Sequence, residues 1–71
     1  MSASLYWEPA KRKRHNFASG SMMADIFTGH SMWEAADIPF LRGMEAAGNT
    51  DVAALIEAIE KYEVIEVTVE Y

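Results

Sequence analysis

The sequence predicts one α+β domain: a small two-stranded antiparallel β-sheet, formed by the terminal strands, packed on two or three short helices. Three observations carry this reading. In the last third of the chain, Val52, Leu55, Ile56 and Ile59 recur at helical spacing, and Ile65, Val67, Val69 and Tyr71 then alternate with Glu66, Thr68 and Glu70. At the other end, Leu5 and Trp7 alternate with Ser4, Tyr6 and Glu8. Between them lie two helix-boundary signals, Asp37-Ile38-Pro39 and Gly48.

In chain order, residues 3–8 read as a short strand, which Pro9 stops or confines to an edge. Residues 10–20 are polar and end in Ser19-Gly20, the composition of a loop. Residues 21–28 fit a short helix with Met22, Met23, Ile26 and Phe27 on one broad apolar face, closed by Gly29. Asp37 suits an N-cap and Pro39 a first helical turn. That helix runs to about Ala47, with Phe40, Leu41 and Met44 inward. Gly43 weakens its middle or lets another segment approach. Thr50 caps the next helix, which carries Glu57 and Lys61 as an i,i+4 pair on its wet side and ends at Tyr62.

Two terminal strands make a weak ribbon without helices over them, and 71 residues form a marginal core. The chain has no cysteine, so no disulfide or thiolate metal site can supply the missing stability. Oligomerisation can. If the last strand lies at an edge, a second copy can pair with it, and a homodimer is expected. The N-terminus lacks the basic and apolar regions of a signal peptide, and no apolar run approaches the ~20 residues that cross a bilayer. These features predict a cytoplasmic protein with no membrane contact.

Net charge is −5 and unevenly placed. Residues 1–20 hold Lys11, Arg12, Lys13 and Arg14 against Glu8, a balance of +3; residues 21–71 hold Arg42 and Lys61 against ten carboxylates, a balance of −8. The acidic body disfavours a broad duplex nucleic-acid interface, whereas the basic run suits a local phosphate or an acidic patch. Trp7, Lys11, Arg12, Arg14 and His15 form the first candidate site: cations for phosphates beside a ring on which a base can stack. The bland alternative is a solubilising loop. Glu57, Glu60, Glu66 and Glu70 form the second candidate, a carboxylate row on the outer side of the last helix and strand that doubles as an ordinary solvated face.

Catalysis finds little support. His30 and Glu34 supply half a metal site, and no further ligand motif completes it. Ser31 beside His30 is not a triad. The carboxylates fall on polar phases of helix and strand, and so small a chain can hardly enclose a substrate pocket. The sequence predicts neither enzyme activity nor a cofactor. Met22, Met23, Trp33 and Met44 are assigned to the core, with a soft recognition surface as the alternative.

Leu5-Tyr6-Trp7-Glu8-Pro9 followed by basic residues resembles the opening of a group of short phage and prophage proteins. Asp37-Ile38-Pro39-Phe40-Leu41-Arg42-Gly43 and Leu55-Ile56-Glu57-Ala58-Ile59-Glu60-Lys61 resemble the closing segments of the same group. Residues 16–33 depart from it, since that stretch is often a leucine- and arginine-rich helix. None of these segments is catalytic. The resemblance implies a binding protein that disables a host component. The first expectation is a counter-defence inhibitor of anti-CRISPR type, with the acidic face covering a basic groove on a host defence protein or nuclease effector. The second is a dimeric sponge that holds a signalling nucleotide through the basic loop. The third is an accessory protein of the phage particle or its assembly.

Overall fold

A computed structural model describes residues 3–71. The elements are β1 (Ser4–Pro9), β2 (His15–Ser19), α1 (Ser21–Phe27), β3 (Met32–Glu34), α2 (Ile38–Ala46), α3 (Ala53–Tyr62) and β4 (Val64–Glu70), with 3-10 turns at Ala35–Asp37 and Thr50–Val52. The α+β class is as expected, and the two terminal strands do pair. The sheet, however, has four antiparallel strands in the order β2-β1-β4-β3, not two.

β1 and β4 form the centre, with Leu5 opposite Val69, Trp7 opposite Val67 and Pro9 opposite Ile65. These residues share the inward face. Leu5, Phe27, Leu41, Val52, Leu55 and Ile65 are each less than 2 % exposed. Burying a side chain of this size contributes about 1.5–3 kcal/mol. The buried residues of all three helices meet the inward strand residues in a single core. The other face of the sheet carries Tyr6, Glu8, Glu66, Thr68 and Glu70, the polar phase of both central strands.

β2 and β3 are the elements that periodicity did not show. β2 falls inside the stretch read as a loop. Of its five residues only Ala18 is buried and Phe17 half-buried, so its polar side chains dominate. The pairing also shifts register between Leu5 and Tyr6, so that Ala18 faces Leu5 but Asn16 faces Tyr6, and Phe17 is the extra residue of a β-bulge. The Asn16 amide donates to the carbonyls of Leu5 and Ala18, at 3.0 and 3.2 Å, and secures the bulge. β3 has three residues, too few for an alternating pattern, and lies on β4 through Met32–Glu66, Trp33–Ile65 and Glu34–Val64. The last strand is therefore interior, and the edge role expected of it passes to β2 and β3.

The helix boundaries show what competes with capping. Asp37 stands at the N-cap of α2, but its carboxylate accepts the Glu34 N–H at 2.9 Å and closes the preceding turn instead. Thr50 opens a 3-10 turn rather than capping α3 with its side chain. Gly48, at φ 108, is the expected left-handed exit from α2. Glu63, at φ 74 and ψ −48, turns the chain from α3 into β4, a conformation rarely adopted by a residue with a side chain. Four apolar assignments fail. Phe40 is 54 % exposed and Tyr71 70 %, and on α1 only Ala24 and Phe27 are buried while Met22 and Ile26 are exposed. Trp33 and Met44 are core.

Gly43 is the exception to its two-sided expectation. A Cβ placed there meets nothing within 4 Å, so no segment approaches it closely and only the helix weakness remains. Gly43→Ala is expected to stabilise the protein by about 0.5–1 kcal/mol. Thermal unfolding would show this as a rise of roughly 2–8 °C.

Candidate functional site

The β1–β2 hairpin turns at Pro9–Arg12, where the Pro9 carbonyl accepts the Arg12 N–H at 3.1 Å and Lys11 takes a left-handed φ of 59. This turn splays the basic run across both faces of the sheet. Arg12 reaches the helix side, its guanidinium 5.7 Å from the Tyr62 ring centroid. Arg14 reaches the opposite face, 4.1 Å over the Tyr6 ring, and donates two hydrogen bonds to the Glu70 carboxylate at 2.6 and 3.2 Å. Lys11 lines a 150 Å³ cleft on that same face, with Glu8, Met32, Val64 and Glu66. Glu8 and Glu66 are direct cross-strand neighbours there, an unfavourable like-charge pair beside which a lysine is welcome.

The Arg14–Glu70 contact has a titration consequence. Hydrogen bonding to Arg14 holds the Glu70 carboxyl below its ordinary value and raises the guanidinium, against a smaller desolvation of each. The contribution of the pair is present above the ordinary carboxyl range and is lost as pH falls through the lowered value. Both groups are exposed, so the effect on stability is small. Arg14→Gln is expected to return the Glu70 titration upward to the ordinary range, which carboxyl NMR would follow directly.

On the helix side the geometry converges. β1 places Trp7 and β2 places His15 on the inward face, their rings stacked with centroids 4.6 Å apart and planes 28° apart. Tyr62, the last residue of α3, lies 6.2 Å from Trp7, tilted by 41°. Lys61 sets its ammonium 5.1 Å from the same Tyr62 ring. Along α3, Ala54 and Ala58 stand one turn apart, and their small side chains leave a groove of 320 Å³ between the helix and the Trp7–His15 stack, bordered by Glu57, Lys61 and Tyr62. That is the lower end of the ~300–1,000 Å³ of small-ligand sites. Three aromatic rings and Lys61 thus frame one opening, and Arg12 lies beyond it against Tyr62.

No family model, curated protein or solved structure matches this chain.

Of the first candidate set, Trp7 and His15 come together in the groove and Arg12 lies nearby against Tyr62, while Lys11 and Arg14 face the other side of the sheet. The second set is divided as well. Glu57 borders the groove, and Glu60 lies 3.5 Å from Arg42. Glu66 and Glu70 stand on the far face of the sheet, the latter neutralised by Arg14. No continuous carboxylate row runs from helix to strand. Sequence reasoning missed Tyr62 and Lys61, which it took for a helix end and a surface ion pair. Among the described residues no ion pair joins Lys61 to Glu57. The detectable signal was the pair of alanines one turn apart beside an aromatic helix end.

A second recess, of 440 Å³, opens between α2, α3 and β3. Glu34, Glu60 and Glu63 surround Ile38, Ile59 and Val64. His30 sits elsewhere, edge-on to Trp33 at 4.3 Å and 3.5 Å from Asp37. Among the described residues no group of three or more His, Cys, Asp or Glu is arranged to hold a metal. No described helix is long and apolar enough to cross a membrane.

Proposed function

We propose that this chain is a non-enzymatic binding protein that sequesters a nucleotide in the groove between Trp7, His15 and Tyr62. The observation that carries the reading is the convergence of those rings with Lys61 on one opening, with Arg12 beside the same Tyr62 ring. Trp7 offers a π-face to a base, and stacking of this kind contributes about 1–3 kcal/mol per base. Arg12 and Lys61 lie at the Tyr62 end, where a phosphate attached to that base would meet them. The groove lining includes no serine, threonine or cysteine, and Glu57 is its one carboxylate. The resemblance to phage proteins supplies the context, a sponge that removes a signalling nucleotide from a host defence pathway.

Titration calorimetry with mononucleotides and cyclic dinucleotides is the direct test. Binding that weakens on adding salt, and that Arg12→Glu with Lys61→Glu removes, is the expected outcome. Absence of binding by every purine and pyrimidine probe up to about 1 mM would sink the reading.

The second recess favours a different reading, contact with a host defence protein or nuclease effector. Carboxylates around an apolar floor suit the stem and head of an arginine or lysine from a basic partner. On that reading, reversing Glu34 and Glu63 to lysine abolishes capture of the effector and leaves nucleotide binding unchanged.

A further inference from the structure

We infer that two copies of the chain associate by antiparallel pairing of their β2 strands, in a register centred on Phe17, and that the nucleotide groove is bounded across this seam by the second copy. The inference rests on the groove reading for its ligand but not for its interface. β2 bonds to β1 on one side only and is an edge of the sheet. Proteins usually blunt such edges with proline, charge, bulges or extreme shortness. The other edge, β3, has three residues and ends on Glu34. β2 has five residues, His15-Asn16-Phe17-Ala18-Ser19, with no proline, lysine, arginine or carboxylate, and the bulge at Phe17 is its single interruption.

The charges at its two ends do not oppose pairing. In the antiparallel register, the Lys11–Arg14 turn of one copy lies alongside Gly20–Met23 of the other, which carries no charge to repel it. A two-fold axis perpendicular to the sheet keeps the helix-bearing faces on the same side. Each α3 then stands on one side of the seam, in an eight-stranded sheet. His15 belongs both to the edge strand and to the groove wall, so the open side of each groove faces the seam. There the Ser19–Ser21 segment of the second copy closes it. A 71-residue chain with no disulfide gains from such pairing the stability its own core is short of.

Light scattering after size exclusion tests this in the full chain. The expected mass is twice the 8.0 kDa of one copy, falling to one copy on dilution or in Ser19→Lys, which puts a charge on the edge without entering the core. Circular dichroism confirms that Ser19→Lys stays folded. Hydrogen exchange should show those amides of residues 16–19 that point away from β1 protected in the parent and open in the variant. A concentration-independent 8.0 kDa mass for the parent, or a Ser19→Lys protein that remains dimeric, overturns the interface. A dimer that binds no nucleotide would leave the interface standing and remove the groove reading. A monomeric parent that binds nucleotide would do the reverse.

Discussion

Trp33→Ala is expected to bring the protein to the limit of its stability. Trp33 is 3 % exposed and sits in the three-residue strand β3. Its ring lies 4.9 Å from Phe27 and 6.1 Å from Phe40, and its indole N–H donates to the His30 carbonyl at 2.7 Å. Removing so large a buried side chain costs about 3–5 kcal/mol. A chain of this length has roughly 4–11 kcal/mol to lose. The loss is also local: without the indole, only the short ladder to β4 holds β3 at the sheet edge. Trp33→Phe keeps most of the packing and gives up the hydrogen bond, and should cost about 1–2 kcal/mol. Chemical denaturation of the two variants separates these effects. A Trp33→Ala protein with the parental midpoint would mean that β3 contributes nothing to the fold.

Trp33 also shows where sequence reasoning reaches and where it stops. The inward phases of β1, α3 and β4 were legible because each runs for five residues or more with one unbroken period. Gly48 was legible because its conformation depends on local sterics alone. β3 offers one inward side chain between two exposed ones, and no periodicity exists over three residues. β2 was concealed differently. A bulge breaks its alternation at Phe17, and the amide that holds the bulge, Asn16, makes the segment look like a loop. The candidate site was half legible for the same reason. Trp7, Arg12 and His15 are close in sequence, and one hairpin turn decides which of them stay together. Tyr62 reaches them only because β1 and β4 are adjacent in the sheet, which puts the end of α3 over residue 7. The acidic row failed on topology too: alternation places Glu66 and Glu70 on the face away from α3, so they cannot share a surface with Glu57 and Glu60.

Trp7→Ala is the substitution expected to do most to binding. It takes away the ring on which a base would stack and leaves His15 without its partner. A stacking loss of about 1–3 kcal/mol per base corresponds to roughly a 5- to 150-fold rise in Kd. Trp7 is only partly buried, so the accompanying loss of stability should be well below that of Trp33→Ala. Trp7→Phe, which keeps a smaller π-face, should recover part of the affinity. Arg12→Ala should act differently: affinity falls and its salt dependence becomes shallower, because one phosphate contact is gone while the stack remains. In a Trp33→Phe background Trp7 is the sole tryptophan, so quenching of its fluorescence reports directly on the groove. The two variants thus separate stacking from charge. If Trp7→Ala and the parent bind nucleotide equally, the groove is not the site. If Trp7→Ala loses binding but Trp7→Phe regains none of it, the indole acts through its packing against His15 and Tyr62 rather than as a platform for the base.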